Sequence, residues 1–212
     1  QDVVVCGFAR TPFGKYKGRI RDFSAVDLGT IVVKELIKKC GFKAGSGIVD
    51  QLYFGQVLQA GSGQAPARQV ALNAGLPNST PCTTINKVCG SSLKAIMIGA
   101  TEIKAGLADV IIAGGMESMS NVPRYISEAE KGVEITYDKL DSLMINDGLK
   151  DAFSGEMMGN TGETIALELE IDRKLADEYA LRSHTLAHQA WEKGWFDEEV
   201  VNIKEIESDE GI

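Results

Sequence analysis

Short apolar runs alternate with amphipathic segments along the first 115 residues of the chain. Runs rich in β-branched residues predict buried strands, and segments with apolar positions at helical spacing and capping residues at their ends predict helices. In chain order we expect a strand at 2–9, a helix at 24–41, a strand at 51–59, a helix at 64–75, a strand at 82–88, a helix at 90–105 and a strand at 109–115. This alternation indicates an α/β domain with a mainly parallel sheet.

The segment 90–105 predicts a helix with an unusual surface. Apolar side chains occur on nearly every side of it, at Leu93, Ala95, Ile96, Met97, Ile98, Ala100 and Ile103. A helix without a polar face belongs inside a protein. We therefore expect this helix to be buried between two layers of structure.

The pattern changes after residue 118. Residues 119–160 have little periodicity and are rich in Met, Asn, Asp and Gly, and long irregular segments of this kind are often functional. Beyond them we expect one helix that begins at Thr161, a second helix at 177–194 and a strand at 200–207.

Length and composition are those of an ordinary globular protein. The chain has 212 residues, of which 44% are apolar and 25% are charged, and this excludes a disordered chain. Its longest apolar runs are far shorter than the roughly 20 residues of a membrane helix. Residues 1–5 show no basic segment of the secretory type. We expect no membrane association. No secretory signal is visible, and a signal that has already been removed stays open as an alternative, because the chain does not begin with Met.

The net charge of −8 is divided unevenly along the chain. Residues 1–118 carry +5, from 13 basic and 8 acidic side chains, and residues 119–212 carry −13, from 9 and 22. Such an asymmetry predicts two compositionally distinct units with a boundary near 118. The acidic second unit argues against nucleic-acid binding as the main task.

Four cysteines are the candidates for nucleophilic chemistry. They are too few for a disulfide scaffold and form no CxxC pair, so we expect reduced thiols, a cytoplasmic location and no structural zinc. Cys6 lies in an apolar run, Cys40 ends a helix and Cys82 opens a strand without a visible activator. Cys89 lies directly before a predicted helix, whose unpaired N–H groups favour a thiolate. Either Cys89 is a nucleophile or it is a small buried hydrophobe.

The two histidines are spaced four residues apart, at His184 and His188. On a helix this spacing places both on one face, where they could bind a metal. The HExxH pattern and a recognisable third ligand are missing. We expect surface or partly packed histidines rather than a metal site.

Residues 86–95, NKVCGSSLKA, resemble the nucleophile segment of thiolases, the acyl-CoA C-acyltransferases. Further segments resemble other parts of the same family and follow its order; they are 10–15, 64–69, 114–120, 147–153, 158–163, 179–184 and 196–200. Together they cover essentially the whole chain.

The resemblance implies the thiolase fold, with two similar βαβαβ halves, helices buried between layers, and a loop domain inserted in the first half. It implies that residues 1–118 are an incomplete N-terminal core and that residues 119–212 are an incomplete loop domain. The second half of the family pattern is absent. In the family that half supplies a His that activates the nucleophile, an Asn-held water and a second Cys that acts as acid and base.

The function that the resemblance implies is condensation of two acetyl-CoA molecules to acetoacetyl-CoA and CoA, or the reverse thiolysis, through an acyl group on Cys89. Leu149, Met157 and Met158 match positions that contact the pantetheine arm; core packing is an equal alternative for the two methionines. The resemblance further implies that coenzyme A thioesters are the substrates, that no metal or redox cofactor is required, and that the protein is a homodimer or homotetramer. One alternative is a degradative 3-oxoacyl-CoA thiolase. Another is that the chain, without the base and the second Cys, is a subunit or interaction module.

Overall fold

Three parallel strands form the centre of the first part of the structure. In this computed structural model, which describes residues 2–126, 136 and 140–212, the strands are β1 (Gln51–Gly55), β2 (Cys82–Ile85) and β3 (Ile111–Gly115). Their order is β2-β1-β3, and Leu52 of β1 lies between Cys82 of β2 and Ile112 of β3. The predicted α/β class with a parallel sheet is confirmed.

Helices cover both faces of this sheet. On one face α1 (Ala25–Lys39) and α2 (Pro66–Asn73) enclose the core, which includes Val33, Leu52, Phe54, Val70 and Ile112. On the other face lies α3 (Ser91–Lys104). Side chains of a strand alternate between the faces, and Tyr53 accordingly reaches α3, where its hydroxyl donates to Glu102 at 2.7 Å.

The start of α1 is fixed by its own sequence. Ser24 is the N-cap, and its hydroxyl accepts from the Asp27 N–H while the Asp27 carboxylate accepts from the Ser24 N–H. This reciprocal capping box satisfies two N–H groups that a helix start otherwise leaves unpaired. The predicted helix therefore begins where the capping residues indicate.

Helix α3 is not buried between layers as expected. Ser91, Ala95 and Gly99 are its buried residues, and they face the sheet. Of the other apolar side chains named above, Leu93, Ile96 and Met97 are exposed, Leu93 at 64%, and the rest are half-buried. The pattern of the helix requires two covering layers, and the described residues supply one of them.

The apolar run at 2–9 does not form the predicted strand. Val5 is 83% exposed, and the first pairing along this segment is a parallel bridge between Arg10 and Val200. A β-branched run becomes a strand only where neighbouring strands satisfy its backbone groups. Among the described residues such neighbours are present for Arg10 but not for residues 3–9.

The division into units differs from the predicted boundary at 118. One unit consists of Gln1–Pro123 and Glu199–Glu210, and the other of Arg124–Glu198 with Gly211–Ile212. The range 119–212 was therefore too long for a single second unit. Residues 199–210 return to the first unit because Arg10 forms ion pairs with acidic groups there. The strand expected at 200–207 is reduced to isolated bridges.

The described part of the second unit consists mainly of two helices, α4 (Met158–Glu168) and α5 (Arg173–Glu192). Both begin a few residues earlier than predicted, and the Asp172 side chain caps α5 by accepting from the Leu175 N–H. Two short antiparallel strands, β4 (Arg124–Tyr125) and β5 (Asp141–Ser142), precede a π-helical turn at Met144–Leu149. Part of the irregular segment expected at 119–160 lies outside the described residues.

No helix in the described ranges combines the length and the apolar character that crossing a membrane requires.

The Asp50 side chain binds the backbone just before β3, and its removal tests how much these hydrogen bonds stabilise the fold. Its carboxylate accepts from the Asp109 and Val110 N–H groups at 2.8 and 2.9 Å, and these bonds lower its pKa, that of Val110 most. A carboxyl with a lowered pKa in the folded state stabilises the protein at neutral pH, and the contribution is lost as the pH falls through that pKa. We expect Asp50→Ala to lower the free energy of unfolding by about 1 kcal/mol at pH 7.

Urea unfolding at pH 7, 5 and 3.5 measures the effect, and the difference from the parent should shrink at the lowest pH. The matched control is Asp109→Ala, because this neighbouring exposed carboxylate accepts no hydrogen bond from a described residue. A difference for Asp50→Ala that stays constant down to pH 3.5 would contradict the assignment.

Candidate active site

A sharp elbow at residues 86–91 connects β2 to α3 and carries Cys89. The Gly90 N–H donates to the Lys87 carbonyl and the Ser91 N–H donates to the Val88 carbonyl, both at 3.1 Å. Val88 has φ of +48°, in the left-handed region that a β-branched residue rarely adopts. Such strain persists only where surrounding contacts impose it, and it is concentrated at functional sites.

Two polar side chains hold this elbow. The Ser91 hydroxyl accepts from the Lys87 N–H at 2.8 Å and donates to the Val88 carbonyl at 2.6 Å, and Ser91 is buried. The Asn86 side-chain oxygen accepts from the Val88 N–H at 3.0 Å. These bonds replace the ladder that a longer strand would make, which is why β2 ends at Ile85 rather than at the predicted residue 88.

Two glycines let the start of α3 lie directly on the ends of the strands. A Cβ added at Gly55 would lie 2.7 Å from the Ser91 carbonyl carbon and the Ser92 nitrogen. A Cβ added at Gly115 would collide with the Ser92 hydroxyl. Gly55 and Gly115 are also neighbours in register on β1 and β3. This close packing places the elbow at the carboxyl edge of the sheet.

A cavity of about 550 Å³ opens beside the elbow. All described residues of its lining belong to the first unit. They are residues 9–16 and 20, three residues of α1, residues 55–57 at the end of β1, four residues of the elbow and α3 including Cys89, and residues 115–120 at the end of β3. This volume is within the range of small-molecule sites. Cys89 is exposed and lines the cavity, so the interpretation of Cys89 as a small buried hydrophobe is wrong.

The backbone around Cys89 offers hydrogen-bond donors. The N–H groups of Cys89, Ser92 and Leu93 donate to no acceptor in the part of the chain that the structure describes. Unpaired N–H groups at a helix start attract negative charge. The elbow can therefore stabilise both a thiolate and the oxyanion that forms when a thiolate attacks a carbonyl.

The other three cysteines lie in different environments. Cys40 and Cys82 are half-buried, and burial raises the pKa of the Cys82 thiol in spite of the nearby Arg68. Cys6 was expected within a buried strand, but it is exposed. None of the three lines the cavity among its described residues. Exposure alone therefore does not distinguish Cys89 from Cys6, whereas the cavity does.

Two side chains of the cavity lining contain a buried oxygen without a hydrogen-bond partner among the described residues. Glu117 uses one oxygen to accept from the Val57 and Leu58 N–H groups at 2.8 and 3.3 Å, and its other oxygen is unpaired. Gln56 is 1% exposed, and its side-chain oxygen is also unpaired. Through these bonds Glu117 holds the residues that follow β1. Gln56 was missed, because a Gln after a strand is no signal in the sequence.

The predicted substrate-binding residues belong to the second unit. Leu149 ends the π-helical turn, Met157 is the N-cap of α4 and Met158 is its first residue. An antiparallel bridge between Lys150 and Met157 brings these positions together. Both methionines are exposed and Leu149 is half-buried, so the two methionines are not core residues. Their contact with a substrate stays a prediction.

The histidines lie on α5, as their spacing predicts, and both are exposed. His188 Nε2 lies 3.3 Å from the Glu192 carboxylate. No histidine is among the described residues that line the Cys89 cavity.

Comparison with known proteins assigns the family. A model of the thiolase N-terminal domain matches residues 3–211. The chain belongs to the thiolase family. Relatives of this thiolase chain include acetyl-CoA acetyltransferase 2 of Arabidopsis thaliana, 43% identical over 96% of the chain, and a probable acetyl-CoA acetyltransferase of Escherichia coli K12, 44% identical over 96%. The family predicted from residues 86–95 is thus confirmed.

A solved structure agrees with this assignment. The Acat5 thiolase from Ascaris suum, determined in complex with coenzyme A, matches 95% of the chain with a TM-score of 0.86 and 36% identity. The matches cover 52% of that thiolase, 50% of the Arabidopsis protein and 51% of the Escherichia coli protein. The thiolase chain therefore spans about half the length of the relatives it matches.

The hydroxyl of Ser91 is the first part of the elbow that can be tested. We expect Ser91→Ala to lower the free energy of unfolding by about 1–3 kcal/mol, because the Lys87 N–H loses its acceptor in a partly buried position. Ser92→Ala is the matched control, since it brings the same gain in helix propensity but its hydroxyl makes no hydrogen bond to a described residue. Urea unfolding monitored by circular dichroism measures both. Equal midpoints for the two variants would contradict the role of Ser91.

Proposed function

We propose that this chain carries the nucleophile of an acetyl-CoA acetyltransferase and that the nucleophile is the sulfur of Cys89. The observation that supports this most directly is the position of Cys89, exposed in a 550 Å³ cavity at the elbow where the parallel sheet meets the first turn of α3. The names of the relatives from Arabidopsis and Escherichia coli support the reaction class.

In the first proposed step the Cys89 sulfur attacks the thioester carbonyl carbon of acetyl-CoA. A carbon–sulfur bond forms to Cys89, the bond to the CoA sulfur breaks, and CoA leaves as a thiolate that takes up a proton. Negative charge develops on the carbonyl oxygen during the attack. The unpaired N–H groups of the elbow, that of Cys89 first, are the donors that we propose for this oxygen.

In the second proposed step a base removes a proton from the methyl carbon of another acetyl-CoA. The resulting carbanion attacks the carbonyl carbon of the acyl group on Cys89. A carbon–carbon bond forms, the bond to the Cys89 sulfur breaks, and acetoacetyl-CoA leaves. Run in reverse, the same steps are thiolysis of a 3-oxoacyl-CoA.

We propose that the base for these steps comes from outside the described lining of the cavity, because the family resemblance assigns it to a His and a second Cys, and that lining contains no histidine and no second cysteine. The family resemblance places the activating His, the Asn-held water and the second Cys in the half that follows. We propose that this other half of the protein completes the site.

The pantetheine arm of the substrate is the ligand that we propose for Leu149, Met157 and Met158. The exposed Met157 and Met158, beside the half-buried Leu149, leave apolar surface available for such an arm. The presence of coenzyme A in the structure of the Ascaris thiolase supports a coenzyme A thioester as the ligand class.

Two further properties are proposals. The four free thiols support a reducing compartment such as the cytoplasm, although the bovine and human relatives are named as mitochondrial. A homodimer or homotetramer is supported by the large apolar side chains left exposed on the described helices, which favour association.

Acylation of Cys89 tests the proposed nucleophile. The chain is incubated with acetyl-CoA labelled in the acetyl group, quenched in acid and mapped by peptide mass spectrometry. We expect the label on Cys89, and pretreatment with acetyl-CoA should slow the alkylation of Cys89 by iodoacetamide at least fivefold. Because Cys6 is also exposed, it should be alkylated as well but without protection.

The matched variants are Cys89→Ser and Cys6→Ser. The first should lose the acetyl label, since a hydroxyl is a much weaker nucleophile than a thiolate, and the second should keep it. Acetyl label on Cys6, or equal protection of both thiols, would refute the assignment of Cys89.

The non-enzymatic alternative is favoured by the lack of a histidine in the described lining of the cavity and by the exposed face of α3. An assay of acetoacetyl-CoA thiolysis distinguishes this alternative from an enzymatic function. The reaction is followed by the loss of absorbance of the magnesium enolate of acetoacetyl-CoA. We expect the 212-residue chain alone to turn over at less than a thousandth of the rate of a full-length relative, because the base is missing. A rate within tenfold of that relative would show that the described residues suffice and would refute the alternative.

A further inference from the structure

One wall of the Cys89 cavity is a loop without helix or strand. Residues 10–19, called the wall loop here, contribute Arg10 to Tyr16 to the cavity lining. A segment of this kind has no ladder of backbone hydrogen bonds to fix it. Its position depends on the individual groups that it contacts.

These groups come mainly from residues 199–210, the return segment. The Arg10 N–H donates to the Glu199 carbonyl and the Val201 N–H donates to the Arg10 carbonyl, each at 2.8 Å. At the far end of the return segment the Glu210 N–H donates to the Phe13 carbonyl at 2.8 Å. The wall loop is thus held along its length by residues about 190 positions later in the chain.

Asp209 fixes the first half of the wall loop. Its carboxylate accepts from two nitrogens of the Arg10 guanidinium at 2.7 and 3.1 Å, and also from the Phe13 N–H at 2.7 Å. The Asp209 side chain is 7% exposed. A bidentate, largely buried pair of this kind has a defined geometry, unlike an exposed ion pair.

Glu210 fixes the second half. One oxygen of its carboxylate accepts from the Lys15 and Arg19 N–H groups, both at 3.0 Å. These bonds, that of Arg19 most, lower the pKa of the Glu210 carboxyl. At Gly18 an added Cβ would collide with the carboxylate, so the loop closes around it without room for a side chain. The carboxylate therefore occupies a cradle of backbone N–H groups formed by the turn of the loop.

We propose that Asp209 and Glu210 are positioning residues, which hold the wall loop against the Cys89 cavity and thereby set the size of molecule that reaches the sulfur. They do so through the loop and are absent from the described lining of the cavity. The inference depends on the proposed function only in naming acyl thioesters as the molecules admitted. Without either carboxylate the wall loop loses the hydrogen bonds that this carboxylate accepts from it, and the opening to Cys89 widens.

The test measures size selectivity at Cys89. Second-order rate constants are determined by peptide mapping for iodoacetamide, which is small, and for a pyrenyl maleimide, which is bulky. We expect Glu210→Ala to raise the ratio of bulky to small rates at Cys89 at least fivefold. Glu210→Gln keeps an oxygen where both N–H groups donate and should stay within twofold of the parent.

The controls separate positioning from general stability. Glu207→Ala removes an exposed carboxylate of the same segment that accepts no hydrogen bond from a described residue, and it should leave the ratio unchanged. The ratio at the exposed Cys6 serves as the internal reference. A purely structural role would lower the unfolding midpoint without changing the ratio. An unchanged ratio in a folded Glu210→Ala, or an equal change in Glu207→Ala or Glu210→Gln, overturns the inference.

Two further comparisons complete the design. Unfolding of Glu210→Ala would be seen as a single reaction rate at all four cysteines, and in that case Asp209→Asn replaces it in the test. We expect Asp209→Asn to raise the ratio of bulky to small rates at Cys89 at least twofold. An unchanged ratio overturns the inference. Acetyl transfer to Cys89 is measured on the same samples. If the parent is not acylated but the variants change the ratio, the proposed function alone is contradicted. If the parent is acylated and the variants leave the ratio unchanged, the positioning role alone is contradicted.

Discussion

The first turn of α3 lies directly against the carboxyl ends of β1 and β3, and the candidate site depends on this close approach. It is possible because Gly55 and Gly115 have no side chain where Ser91 and Ser92 pass. The elbow then has to turn within a few residues, and this forces Val88 into the left-handed region. Strain, exposure of Cys89 and unpaired N–H groups all follow from one steric arrangement.

Features set by neighbouring residues could be predicted from the sequence. The start of α1 depends on Ser24 and Asp27, which are three positions apart, and the helix begins where the sequence predicts it. The turn before α3 was also predictable, because β-branched residues precede Cys89 and small residues follow it. The exact end of β2 was not, since it is decided by the Asn86 side chain, which accepts from the Val88 N–H in place of a partner strand.

Features set by distant residues could not be predicted. Arg10 binds residues of the return segment that lie 189 to 199 positions later in the chain. No periodicity in the sequence predicts these contacts. The charge asymmetry indicated a boundary near 118. It could not show that acidic residues at 199–210 form ion pairs with the basic side chain of Arg10 in the first unit. The same limit explains why Gln56 was overlooked, because its burial depends on the packing of the whole unit.

The cavity thus has two walls that differ in how they are secured. The elbow is fixed mainly by hydrogen bonds between residues at most four positions apart, together with the close packing of the glycines and one longer bond from the Asn86 side chain to the Val57 carbonyl. It therefore depends on few other parts of the chain. The wall loop is fixed through contacts that close a loop of nearly the whole chain, and such contacts are lost first when distant segments loosen. Reactivity at Cys89 should therefore survive perturbations that abolish size selectivity. A site divided in this way can keep its nucleophile in place while the opposite wall adapts to the acyl group.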